Sequence, residues 1–90
     1  MSLTPKERQQ LKAKAHRLKP IVFVGQQGLS ENVMTEIDRA LTDHELIKIR
    51  VVADDRDEKR DMFAAICETH QAEAVQLIGN MATLYRKKKE

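Results

Sequence analysis

Aromatic side chains are almost missing from this 90-residue chain: tryptophan is absent, Tyr85 is the only tyrosine, and Phe23 and Phe63 both stand in apolar contexts. So few rings exclude the multi-aromatic stacking platform by which many RNA-binding sheets hold bases. Cysteine is nearly absent as well, and Cys67 alone cannot close an intramolecular disulfide. No stretch approaches the roughly 20 apolar residues that span a bilayer. Nor does a basic N-terminal region lead into an apolar one of signal-peptide length, so the cytoplasm is the expected compartment.

Catalytic patterns are missing too. Gly25 to Gly28 lacks the lysine and the third glycine of nucleotide-binding fingerprints. His16, His44 and His70 show no His-x-x-x-His spacing, and Cys67 falls on the apolar side of a predicted helix, the place of a core thiol. The acids Asp54, Asp55, Asp57, Glu58 and Asp61 lack the glycine and closing glutamate of an EF-hand, and they suit the positive end of a helix dipole instead. The expectation is a protein that is not an enzyme and takes no cofactor, no metal and no small-molecule substrate.

What the chain has is sorted charge. Its net charge is only +2, yet residues 1–28 carry +5, 29–47 carry −4, 48–53 carry +2, 54–73 carry −4 and 74–90 carry +3. If the positive blocks meet in space, they form a basic face opposite an acidic one, as a polyanion binder requires. Ninety residues allow one domain with one modest core. There is no internal repeat, no linker and no low-complexity segment beyond a basic C-terminal tail from about residue 86.

Periodicity orders the elements. Thr4-Pro5-Lys6-Glu7 is a helix start with a capping threonine, proline at the first helical position and glutamate placed for a capping box. This helix is predicted to run to about Leu18, packing through Leu11, Ala15 and Leu18 beside a stripe of Arg8, Lys12, His16 and Lys19. Ile21-Val22-Phe23-Val24 reads as a strand covered on both faces. Ser30 caps a second helix with Val33, Met34, Ile37, Ala40 and Leu41 on its apolar side and Glu31, Glu36, Asp38 and Asp43 outside. Residues 46–52 alternate, with Ile47, Ile49 and Val51 on one face and Lys48 and Arg50 on the other. Asp55 followed by Glu58 opens a third helix. Residues 75–78 and 82–85 are strands around Gly79-Asn80, an order that favours a type II′ hairpin turn. The reading is an α/β domain, a helix followed by βαβαββ, with a mixed four-stranded sheet packed with three helices.

The chemistry concentrates at Gly25-Gln26-Gln27-Gly28, between a strand and a helix start. Glycines around two polar residues let backbone approach another surface closely, while the following helix aims free N–H groups at the same place. Residues 6–19, just before it, hold six Lys/Arg and one acid. A phosphate suits that setting, and RNA is the expected ligand. The candidate contacts are Gly25, Gln26, Gln27 and Gly28 in the turn, Arg8, Lys12, Lys14, Arg17 and Lys19 in the first helix and its exit, Lys48 and Arg50 on the alternating strand, and Arg86, Lys87 and Lys88 in the tail. With one available aromatic, binding is expected to rest on phosphate and shape.

Four stretches together, Ala15-His16-Arg17-Leu18-Lys19-Pro20, Gly25-Gln26-Gln27-Gly28-Leu29, His44-Glu45-Leu46-Ile47-Lys48-Ile49 and Leu84-Tyr85-Arg86, resemble the CRM domain of chloroplast RNA splicing and ribosome maturation. The chain looks like the stand-alone bacterial YhbY-like form, over about residues 4–87. The resemblance implies a fold like the C-terminal domain of translation initiation factor three, a GxxG loop for RNA contact and association with precursors of the large ribosomal subunit. Members often carry a basic or small residue inside the loop. Here Gln26 and Gln27 stand there, which shifts the electrostatic burden to the first helix and the tail. The resulting expectation is a monomeric RNA-binding protein with structured RNA, large-subunit ribosomal RNA or its precursor particle, as partner and no membrane association. The alternative is a protein-interaction adaptor using its acidic helices on a basic partner such as a ribosomal protein.

Overall fold

The computed structural model describes residues 3–25 and 28–88. Seven elements follow in the order α1 (Pro5–Ala15), β1 (Val22–Val24), α2 (Glu31–His44), β2 (Leu46–Val51), α3 (Arg56–His70), β3 (Glu73–Ile78) and β4 (Met81–Tyr85). Local chemistry accounts for the starts of the three helices. The Glu7 amide donates to Thr4 Oγ1 at 3.1 Å and the Thr4 amide to Glu7 Oε1 at 3.0 Å, a complete capping box that also holds the Glu7 carboxyl below its usual range. Ser30 Oγ accepts from the Val33 amide at 3.2 Å, and Asp55 Oδ1 from the Glu58 amide at 2.7 Å.

The sheet order is β1-β2-β4-β3, with β1 parallel to β2 and β4 antiparallel to both its neighbours. The last hairpin therefore folds β4 into the gap between β2 and β3. At its turn Gly79 has φ +58° while Asn80 does not have positive φ, the pattern of type II′. Val75, between Ala74 and Gln76, interrupts the β3–β4 register as a bulge and is itself buried.

One face of the sheet is closed. Val22 and Val24 of β1, Ile47, Ile49 and Val51 of β2 and Ala82 and Leu84 of β4 form a continuous core with Ile37, Ala40 and Leu41 of α2 and Phe63, Ile66 and Cys67 of α3. Two successive crossovers in the same direction place α2 and α3 on this same side. Burial, together with Glu73, pushes the Cys67 thiol up to about 11, which fits an inert core residue.

Two sequence expectations are corrected. The first helix ends at Ala15 rather than near Leu18; His16 and Arg17 form a turn closed by the Leu18 amide on the Ala15 carbonyl at 2.9 Å. Steric exclusion of helical backbone at Lys19, just before Pro20, bars the helix from continuing that far. The first strand is not covered on both faces: it is an edge strand with Val22 and Val24 buried and Phe23 59% exposed. Helix α1 packs on β2 and β3.

Candidate nucleic-acid interface

The turn between β1 and α2 is closed by the Gly28 amide donating to the Gly25 carbonyl at 3.0 Å. Gly28 has φ +80°, a conformation that strains any side-chain-bearing residue. At Gly25 an added Cβ would lie 3.0 Å from Cε1 of the largely exposed Phe23 ring, which would have to shift. Gln26 and Gln27 lie outside the described residues. The Gly28 carbonyl accepts from the Ser30 amide at 3.1 Å, which leads the chain directly into the cap of α2. The turn thus sits at the C-terminal end of the parallel pair, ahead of the first N–H groups of α2.

The strand register defines the second face. Phe23 pairs with Arg50, Arg50 with Met81 and Met81 with Ile78, one row across all four strands. The adjoining row contains Lys48, Thr83 and Gln76. Arg50 is exposed, Lys48 is half-buried, and Thr83 is buried with no partner for its hydroxyl.

The predicted cations do not form a single face. Lys14, Lys19 and Lys48 meet around a groove of about 560 Å³ floored by Leu11, Leu18, Ile21, Leu46 and Tyr85, at the N-terminal ends of β1 and β2. That groove lies at the other end of these strands from the glycine turn, and Arg50 lies between the two. Arg8 sits instead at the β3 edge, around a cleft of about 660 Å³ that also takes Arg56, Lys59 and Arg60 of α3. Lys59 Nζ donates to the Gly79 carbonyl there at 3.1 Å. These three α3 cations lie inside a block of net negative charge, and block charge does not report helix face; their i, i+3 and i+4 spacing is what brings them together. Lys12 is half-buried beside Arg8, and Arg17 is exposed in the turn after α1.

The tail divides. Arg86 Nη1 donates to Asp38 Oδ1 at 2.9 Å and to the His70 carbonyl at 3.2 Å, while Nη2 donates to the Asp38 carbonyl at 3.1 Å and to Thr42 Oγ1 at 2.9 Å. Both terminal nitrogens are committed twice, so this guanidinium ties the tail to α2 and α3 and offers no fork to a phosphate. Lys87 and Lys88 are exposed. The tail backbone is docked at Glu45, whose carbonyl accepts from the Arg86 amide at 2.9 Å and whose carboxylate accepts from the Lys88 amide at 2.9 Å. Lys89 lies outside the described residues.

Among the described residues no group of three His, Cys, Asp or Glu side chains could hold a metal ion, and no helix is long and apolar enough to cross a membrane.

A small α/β domain with one closed sheet face, one half-open cationic face and a glycine turn at the strand ends is the class these features define. The model of the CRS1 / YhbY (CRM) domain matches residues 3–86, and the chain belongs to that family. A Haemophilus influenzae relative named an RNA-binding protein is 44% identical over 99% of this chain and 90% of its own length. A Pseudomonas aeruginosa relative named a probable RNA-binding protein is 42% identical over 97% of this chain and 84% of its own length. The solution structure of a Staphylococcus aureus hypothetical protein, described as a candidate RNA binder, superposes with a TM-score of 0.86 at 38% identity, covering 98% of this chain and 92% of that one.

Proposed function

We propose that this protein is a non-catalytic RNA-binding factor that associates with precursors of the large ribosomal subunit in the cytoplasm, acting as a monomer with the whole chain as one binding domain. The observation that carries the reading is the glycine turn closed ahead of the α2 cap, with Lys48 and Arg50 on the sheet face beside it. Backbone at residues 25–28 clamps a phosphate, and α2 supplies N–H groups and a favourable dipole there. Lys14, Lys19, Lys48 and Arg50 extend the contact along the open face, and Arg8, Lys12, Arg17, Lys87 and Lys88 supply longer-range attraction. The names of the relatives support RNA as the ligand. Contacts of this kind position structured RNA by backbone and shape rather than by sequence.

The test is RNA affinity against salt, measured on large-subunit ribosomal RNA fragments. Affinity is expected to fall steeply with salt, and neutralising Lys19 and Lys48 together should flatten the log-log slope by a little under one unit for each lost contact. Introducing Gln26→Asp with Gln27→Asp should weaken binding without unfolding the domain, since two carboxylates then oppose the phosphate. RNA binding insensitive to all four changes, or absent while a basic ribosomal protein still binds the acidic helices, would replace this reading with the adaptor. Crosslinking in cells followed by sequencing of the bound RNA locates the site.

A further inference from the structure

The large exposed apolar side chains among the described residues are Leu18, Ile21, Phe23 and Ile78, and all four lie on the α1 side of the sheet. Phe23 is the only aromatic among them. Its strand sits at the sheet edge, and the side chain is 59% exposed. Strand neighbours are about 4.8 Å apart, so the registered pair Phe23 and Arg50 project side by side on one face. Arg50 forms no ion pair among the described residues. A Cβ added at Gly25 would lie 3.0 Å from Cε1 of Phe23, so the ring borders the glycine turn.

We propose that Phe23 and Arg50 form a stacking seat for one unpaired RNA base immediately beside the phosphate clamp at residues 25–28. A base is the occupant that uses both groups, since its π-face stacks on a ring or a guanidinium plane and its phosphate is attracted to the cations alongside. The charge on this face agrees: pairing places Lys48 and Arg50 on it, and the acid that pairing adds is Glu73, opposite Tyr85 at the far corner from Phe23. One ring makes a single seat rather than a platform, so the seat adds preference for an unpaired nucleotide without reading a long sequence. The inference rests on the RNA-binding reading above and adds to it a nucleobase contact that phosphate and shape do not supply.

The test uses the full chain with two hairpin RNAs of equal length, one fully paired and one with a single bulged 2-aminopurine. Wild type should bind the bulged hairpin more tightly and quench its fluorescence. Phe23→Leu, at an exposed position that keeps an apolar side chain, should lose roughly five- to a hundredfold in affinity for the bulged hairpin, lose the quenching, and bind the paired hairpin within about twofold of wild type. Phe23→Trp should retain both affinity and quenching. Equal affinity of wild type and Phe23→Leu for the bulged hairpin overturns the seat while leaving RNA binding intact, whereas failure of wild type to bind either hairpin overturns both readings. Sedimentation showing a wild-type dimer that Phe23→Leu dissociates would assign the face to self-association and overturn the seat as well.

Discussion

The closed and open faces of the sheet come from the same strands by the same alternation, and they end as different surfaces. On one, Val22, Val24, Ile47, Ile49, Val51, Ala82 and Leu84 are all buried under α2 and α3. On the other, one residue along each strand, are Phe23, Lys48, Arg50, Met81, Thr83 and Ile78, of which only Thr83 is buried. Two helices cover the first face and a single eleven-residue helix crosses part of the second. The difference teaches that stability and binding are separated by a period of two along the same strand. Neighbouring residues of β2 should therefore fail in opposite ways when changed.

The largest expected effect follows from that neighbour rule. Ile49 is fully buried, and Ile49→Ala should cost about 2–5 kcal/mol through lost burial and the cavity left behind. Arg50→Ala, one position on, should change stability by no more than about 0.5 kcal/mol while weakening RNA binding. Urea denaturation of both variants, paired with RNA titration, checks this. A large stability loss at Arg50 would show that the open face also holds the fold together and would break the comparison.

A smaller effect is expected where a residue that looks like part of the binding surface belongs to the closed side. Arg86 bridges Asp38 and Thr42 of α2 to the last turn of α3 through four hydrogen bonds. Asp38 is well exposed, which lowers the value of the ion pair, so the loss in Arg86→Ala is expected to be roughly 2 kcal/mol, coming mainly from the charge-assisted bonds to carbonyls and hydroxyl. Lys87→Ala should leave thermal stability unchanged and slightly reduce the salt dependence of RNA binding. If Arg86→Ala instead melts with the wild type and loses affinity, the tail belongs to the open face after all.

These contrasts also separate what the sequence discloses from what it conceals. The caps at Thr4, Ser30 and Asp55, the alternation of Ile47, Ile49 and Val51 against Lys48 and Arg50, and the positive φ of Gly79 depend on residues within a few positions of one another, and all are legible. The exposure of Phe23 depends on strand order, which no local pattern encodes; a four-residue apolar run reads as fully buried until its strand proves to be an edge. Arg86 is concealed for the same reason, since its partners lie 16 to 48 positions away. Of the candidate site, the glycine turn and the β2 cations were legible as local features. The separation of Arg8 from Lys14 and Lys19 was not, because it arises from how α1 lies across the sheet.

The smallest expected effect probes the end of the closed side by pH. His70 is 8% exposed, and burial lowers its pKa from the usual 6.5; Asp38 opposes that shift by favouring the charged ring, and Arg86 adds to it. Because the folded pKa lies below the unfolded one, the unfolded chain takes up this proton first as pH falls. The associated stability is fully present above 6.5 and is lost as pH drops from there through the folded pKa. Glu7, whose pKa is lowered from 4.5 by its bonds to Thr4, adds a separate loss that begins only below that value. An NMR titration should place the His70 midpoint below 6.5, and the urea midpoint should decline modestly between these two pH values in wild type but not in His70→Gln. A midpoint above 6.5 would mean that the Asp38 carboxylate governs the ring, and the sign of the pH dependence at this end of the core would reverse.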